Sequence, residues 1–497
     1  MATGCTERPA APVAYREPFR LQYHFSPEKN WMNDPNGLVY HDGEYHLFYQ
    51  HNPYGDRWGH MSWGHAVSPD LMHWEHLPVA LEEEDGIMIF SGSAVVDTRN
   101  TSGFGTADQP PMVAIYTGHT DTLQTQHIAY SVDRGRTWTK YAGNPVIDLG
   151  LKDFRDPKVF WHDESGQWIM VVSVPAEHNV HFYGSPDLKE WTFLSAFGPE
   201  GASDSIWECP DLFPLPIEGR DGATRWVLIV NIGSNAAAGG SGGQYFVGSF
   251  DGKTFTNDNP PEQVLWVDHG ADFYAGVTWG DIPESDGRRI LIGWFNNWQY
   301  AQDIPTSPWR SAQSVPRALA LRETPQGLRL VQHPVREVES LRETPQTFAG
   351  LDFAAADALG LKGNQFELNA EIALNGADRV EIAVLARGAE QTVVGYDASE
   401  GVVFIDRTAS GIGDFHDAFL ARHTAPLAAP DGIVRLRLLV DWSSVELFAG
   451  DGLVALSDRV FPDPESQSIR FSHAGGSPVL TSLAIWPLKS TWGRPSL

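Results

Sequence analysis

Four short segments of this 497-residue chain repeat one pattern: SPDLMHW (68–74), SVDRGRTW (131–138), SPDLKEW (185–191) and SFDGKTF (249–255). Each runs serine, any residue, aspartate, a short turn, then an aromatic. The closing aromatics Trp74, Trp138, Trp191 and Phe255 are spaced by 64, 53 and 64 residues. Apolar, β-branched runs fill the intervals, among them YHLFYQH (45–51), PMVAIYTG (111–118), WIMVVSVP (168–175) and WVLIVNI (226–232). A period of about sixty residues made of short strands is one four-stranded sheet per period, the signature of a propeller. The stretch 20–332 holds five such periods. In each copy the aspartate is expected to cap a tight turn and the aromatic to plug the blade.

The rest of the chain has another texture. Residues 333–350, HPVREVESLRETPQTFAG, are polar and read as a linker with a short helix. From 351 to 497 come alternating segments such as FELNAEIAL, RVEIAVLARG and VRLRLLVDWSSVELFAG, the period-two pattern of an antiparallel β-sandwich. The expected fold is therefore all-β: a tail (1–19), a five-bladed β-propeller (20–332), the linker and a sandwich (351–497) whose expected role is packing support, with an independent sugar-binding module as the alternative. A net charge of −28 argues against nucleic acid and anionic membranes and fits a small neutral ligand. The two cysteines, Cys5 and Cys209, offer neither an expected disulfide nor a metal cluster, so neither metal nor cofactor is expected. No stretch is apolar enough to span a bilayer. The start, MATGCTERPAAPVAY, lacks the apolar core of a signal peptide. Residence outside the cell after removal of a leader is the expectation, with the cytoplasm as the alternative.

Three carboxylates stand in sharp local contexts: Asp34 in WMNDPNG, Asp156 in FRDP and Glu208 in WECP. They lie 36, 31 and 43 residues before the repeat aspartates Asp70, Asp187 and Asp251, so each occupies an early position in its own blade. First strands line a propeller's central channel, which aims all three into one axial pocket. The matching positions of the other blades fall in FSGSA (90–94) and DFYAG (272–276). Converging carboxylates suit glycoside cleavage, which uses one as nucleophile or base and one, kept protonated, as acid. Glu208, flanked by Trp207, Cys209 and Pro210, is the candidate acid/base. Asp34, in a turn forced by Pro35 and Gly37, is the candidate nucleophile. Asp156, held ionised by neighbouring Arg155, is the candidate for binding hydroxyls and stabilising the transition state.

These motifs resemble glycoside hydrolase family 32, the β-fructofuranosidases, in order and spacing, and VDWSSVELFAGDG (440–452) resembles the family's sandwich domain. The resemblance implies the same fold and the same roles: Asp34 nucleophile, Glu208 acid/base and Asp156 stabiliser, in a retaining reaction through a fructosyl–enzyme intermediate. It further implies that Asn33, Gln50, Trp58, Phe90, Ser91, Arg155, Tyr274 and Trp294 contact the terminal fructose, with Trp58 and Trp294 as pocket walls. The segment 293–321 is more similar to the levanase and inulinase branch. Trp298, Gln299 and Tyr300 are expected at the mouth, holding an acceptor or leaving-group sugar. Partners would then be sucrose, fructo-oligosaccharides and fructans, with transfer to sugar acceptors as a further outcome. The alternatives are a sialidase (SVDRGRTW matches its Asp-box), an arabinan-type propeller furanosidase, and a fructan-binding lectin with a dead site.

Overall fold

The computed structural model describes residues 15–106 and 108–492; Cys5 and most of the expected tail lie outside them. Five sheets follow one another in chain order. Blade I comprises Asn30–His41, Glu44–Asn52, Ser62–Ser68 and Glu75–Leu81; blade II comprises Met88–Val96, Met112–His119, Gln124–Ser131 and Thr139–Lys140. Blade III comprises Arg155–His162, Gln167–Val174, Asn179–Ser185 and Thr192–Phe197. Blade IV comprises Trp207–Pro216, Thr224–Ile232, Gly242–Phe250 and Phe255–Asn257, and blade V Tyr274–Thr278, Arg289–Trp294, Arg317–Thr324 and Gly327–Pro334. The first strand of each blade touches the first strand of the next, and that of blade V touches that of blade I. This closes a five-bladed ring. Trp309 and Arg310, from the loop within blade V, pair in parallel with Asn30 and Trp31 and tie the ring's ends together.

The four repeated segments join the third and fourth strands of blades I to IV. The geometry recurs: Asp70 accepts from the Met72 and His73 N–H groups, Asp187 from Lys189 and Glu190, and Asp251 from Lys253 and Thr254. The residue after each of these aspartates is left-handed: Leu71 (φ 65), Leu188 (φ 65) and Gly252 (φ 88). The SVDRGRTW copy is one residue longer, and there both Arg134 and Gly135 have positive φ. The aromatics pack into their own blade, as expected, and also seal the seam against the preceding one. Trp138 of blade II packs edge-on against Phe48 of blade I, Phe255 of blade IV against Phe197 of blade III, and Trp74 of blade I stacks on Trp279 in blade V.

The first strands share a second device. Each carries a bulge in which two residues face one on the neighbouring strand: Asn33–Asp34, Phe90–Ser91, Asp156–Pro157, Cys209–Pro210 and Ala275–Gly276. A bulge bends the strand and re-aims side chains. It also explains the prolines: Pro157 and Pro210 sit within bulges and Pro35 directly after one, where no ladder donor is lost. WMNDPNG therefore forms no tight turn, contrary to expectation; it lies within the 12-residue strand Asn30–His41. Gly37 is required there twice over, by its φ of +55 and because a Cβ would lie 2.4 Å from the Phe48 ring.

Beyond Pro334 come a 3₁₀ turn (Arg336–Leu341) and the strand Gln346–Phe348, which pairs with Val479–Pro487. Two antiparallel sheets then enclose one apolar core containing Leu368, Ile382, Val394, Leu438, Leu447 and Ile485. The propeller–sandwich seam joins apolar clusters, such as Tyr300 and Ile304 with Phe419 and Phe461, to fully buried ion pairs. Arg317 of blade V holds Asp268, Glu446 and Ser457, and Arg407 of the sandwich holds Asp272. His24 sits between Asp441 and Glu446 at 3.0 and 2.9 Å. The segment 440–452 thus supplies two of the seam's carboxylates, Asp441 and Glu446.

Candidate active site

The five bulges surround the mouth of the axial channel. The three acids occupy different places in them: Asp34 is the second residue of its bulge, Asp156 the first, and Glu208 immediately precedes one. Asp156 and Cys209 are left-handed, with φ of 68° and 44°. Backbone strain of this kind, about 1 kcal/mol or more per residue, collects where a side chain must be aimed against local preference. The result is one pocket of about 450 Å³, lined by Asn33, Asp34, Gln50, Trp58, Phe90, Ser91, His119, Gln124, Asp153, Arg155, Asp156, Ile206, Glu208, Gly233, Tyr274 and Trp298. Below Asp156 and Cys209 only a separate cavity of about 20 Å³ remains, room for about one water, so for a sugar the pocket is a dead end.

Asp34 is buried at the floor. Its Oδ2 accepts from the Ser91 hydroxyl at 2.6 Å and its Oδ1 from the Asn33 amide at 3.0 Å. Asn33 is itself set by the Trp31 indole N–H at 2.7 Å. Asp156 Oδ2 accepts from the Cys209 backbone N–H at 2.9 Å. The Cys209 thiol lies 3.6 Å from both Asp34 Oδ2 and Asp156 Oδ2. Burial, and then the surrounding carboxylates, push that thiol up, so it remains an S–H donor. Burial raises Asp34 above the usual aspartate range; the Glu208 charge adds to this, and the Ser91 and Asn33 donors oppose it.

Two expectations about charge are corrected. Arg155 does not clamp Asp156: its Nε donates to Glu208 Oε1 at 2.9 Å and is 4.0 Å from Asp156 Oδ2. Asp156 is accordingly raised, by burial first and then by Glu208 and Asp34 against the pull of Arg155. Nor is the Glu208 carboxyl wrapped in its apolar neighbours. Trp207 is buried beneath it with its N–H on Ala202 O, while the Glu208 side chain, 18% exposed, takes Arg155 on one oxygen and the Tyr274 hydroxyl on the other. Burial and the Glu208 charge keep the Tyr274 phenol protonated and hence a donor. Burial and neighbouring carboxylate charge thus raise both Asp34 and Asp156, while the Arg155 guanidinium pairs with Glu208 and Asp153.

Gln50 is buried and donates to Ile89 O at 3.0 Å, leaving its carbonyl oxygen to the pocket. Trp58, 39% exposed, stands at the rim edge-on to Phe90. Trp294 is not a wall. It is fully buried, donates to Met32 O and backs Trp298, which forms the wall and also stacks on Trp31. Tyr300 is not at the mouth either; it is buried at the domain seam, bonded to Asp272 and Arg407, while Gln299 is exposed. Sequence reasoning passed over Gln124 and Gln126. Gln124 Oε1 accepts from Phe154 N and Arg155 Nη1, and Gln126 donates to Phe154 O. Two buried glutamines two residues apart on one strand face are the available signal.

Comparison with known proteins agrees with this geometry. Residues 24–334 match the glycosyl hydrolases family 32 N-terminal domain, and residues 337–487 the family 32 C-terminal domain. The chain is 51% identical to a levanase of Bacillus subtilis over 487 residues, covering 96% of this chain and 72% of that protein. It is 42% identical to an extracellular exo-inulinase of Aspergillus awamori, covering 96% of both. The crystal structure of an exo-inulinase from Aspergillus awamori superposes with a TM-score of 0.90 at 41% identity, covering 96% of this chain and 100% of that one. A fructofuranosidase from Schwanniomyces occidentalis complexed with fructose gives 0.88 at 35%, covering 97% and 100%. The five-bladed ring, the appended sandwich and the matches across both domains place this chain in glycoside hydrolase family 32.

Proposed function

We propose that this enzyme is a retaining β-fructofuranosidase that removes terminal fructose from sucrose and β-linked fructans. The observation that carries this is the convergence of Asp34, Asp156 and Glu208, from blades I, III and IV, at the floor and wall of one dead-end pocket. Asp34 attacks the anomeric carbon of the terminal fructose, forming a carbon–oxygen bond to its carboxylate while the glycosidic bond breaks. Glu208 gives its proton to the departing oxygen. The leaving sugar departs, and Glu208 takes a proton from water, which attacks the same carbon and frees Asp34. Asp156 accepts hydrogen bonds from sugar hydroxyls that strengthen as the ring takes on oxocarbenium character. Asn33, Gln50, Ser91, Arg155 and Tyr274 orient that ring, and Trp58 and Phe90 wall it. Ser91 and Asn33 favour the ionised nucleophile.

A pocket closed below admits a chain end and not a chain interior, which supports exo action. The relatives named levanase and exo-inulinase support fructans as substrates. Trp298, at the wall between floor and mouth, is positioned to receive a second sugar, whether leaving group or acceptor. The test is a product time course on sucrose, inulin and levan at low and high sucrose. Equal glucose and fructose from sucrose, and fructose alone from the fructans, is the expected result. Early release of larger oligosaccharides from inulin or levan overturns exo action. Glucose in excess of fructose with new oligosaccharides establishes transfer, and no product in any lane refutes the assignment.

A further inference from the structure

His119 ends the second strand of blade II at the pocket rim, and Gln124 begins the third as its register partner. Gln124 Oε1 accepts from the Phe154 backbone N–H at 2.8 Å and from Arg155 Nη1 at 3.1 Å. Two donors on one atom fix that end of the amide as oxygen. Its nitrogen therefore faces His119 Nδ1, at 3.1 Å. An amide nitrogen only donates, so Nδ1 accepts and the imidazole proton sits on Nε2. Burial, and then Arg155, hold the His119 pKa below the usual histidine value, which keeps the ring neutral. The ring lies flat on Phe90, centroids 4.0 Å apart and planes 7° apart, so its direction is set as well. Among the described residues Nε2 has no protein partner, and His119 lines the pocket.

This is a rigid donor with one tautomer, half-buried, on the rim above a floor formed by buried Asp34 and Asp156. The chain His119–Gln124–Arg155 ends on Glu208, the group that protonates the oxygen joining the two sugars. A terminal fructose fills the floor; the sugar beyond that oxygen lies at the rim. We propose that His119 is a specificity-determining residue whose Nε2–H holds a hydroxyl of the leaving-group sugar, with Gln124 as the positioning residue that fixes its tautomer. The proposal rests on the fructosidase reading above.

The test compares substrates that share the fructosyl group and differ in what leaves: sucrose, a fructose-terminated trisaccharide, and β-fructofuranosyl fluoride, whose leaving group has no hydroxyl. His119→Phe keeps the stack on Phe90 and removes the donor. It is expected to lower kcat/KM on sucrose and the trisaccharide by about tenfold, the worth of one hydrogen bond, and to leave hydrolysis of the fluoride unchanged. His119→Gln, which restores an N–H of similar reach, is expected to recover most of the loss. Equal losses on all three substrates, no loss on any, or no recovery in His119→Gln overturns the proposal. Unchanged fluoride turnover also certifies that the variant is folded. A wild-type enzyme inactive on all three substrates sinks the fructosidase reading itself, and this proposal with it.

Discussion

Ser91→Ala tests whether Asp34 works as an ionised nucleophile. The Ser91 hydroxyl donates to Asp34 Oδ2 at 2.6 Å, the length of a charge-assisted bond. Such a bond contributes about 1.5–3 kcal/mol net. It lowers the Asp34 pKa against the burial that raises it. At about 1.4 kcal/mol per unit, its loss raises that pKa by roughly one unit or more; the remaining Asn33 and Cys209 donors keep the shift toward the lower end. The acid limb of the kcat/KM profile on sucrose then moves to higher pH by about one unit, and the rate below that limb falls about tenfold. The alkaline limb, which the Ser91 hydroxyl does not touch, stays in place. Initial rates across pH in buffers of constant ionic strength measure both limbs. A uniform fall with an unmoved acid limb, or a shift of the alkaline limb alone, refutes the reasoning.

Asp34→Asn is expected to cut turnover by at least about 10⁴-fold, as removal of a nucleophile does, with thermal stability at neutral pH unchanged or higher. The sign follows from burial: the folded pKa of Asp34 is raised, so its ionisation destabilises the fold as pH climbs through that value, and a neutral amide escapes this; near-normal activity in the folded variant contradicts the assignment. His24, between Asp441 and Glu446, has a raised pKa, so its contribution is fully present below about pH 6.5 and is lost as pH rises through the folded value. Denaturant titrations should show His24→Ala costing about 3–5 kcal/mol at pH 6 and progressively less at alkaline pH; a pH-independent difference counts against the imidazolium bridge. Trp298→Ala should raise KM for sucrose and oligosaccharides severalfold, and unchanged kinetics and product ratios remove Trp298 from sugar binding.

The propeller was legible because its repeat is local: the turn of SPDLKEW and its relatives is built by an aspartate reaching its own next residues, so spacing alone exposes it. The acids were legible as a set for the same reason, since each keeps a similar phase to that turn. What spacing could not carry was the bulge. One extra residue per first strand decides which neighbour points inward, so spacing narrows the other two blades only to FSGSA and DFYAG, of which Ser91 and Tyr274 line the pocket, and NDPNG reads as a turn when it is a strand. Charge partners were misread where sequence neighbours part in space. Arg155 precedes Asp156 in the chain, but the bulge turns the guanidinium toward Glu208 from the next blade. Trp294, placed in the wall by resemblance, lies behind Trp298, and Tyr300, expected at the mouth, serves a buried seam built with Arg407, more than a hundred residues away. Gln124 was invisible because it acts through other side chains, Arg155 and His119.

In the proposed mechanism Asp34 becomes covalently attached to fructose. Glu208→Gln with β-fructofuranosyl fluoride isolates that step: fluoride leaves without a proton donor, and the intermediate lacks the base that would clear it. Rapid quenching, proteolysis and mass spectrometry should find one fructosyl unit on the peptide containing Asp34. A fructosyl unit on the peptide of Asp156 or of residue 208, or fluoride release with no labelled peptide, contradicts the account.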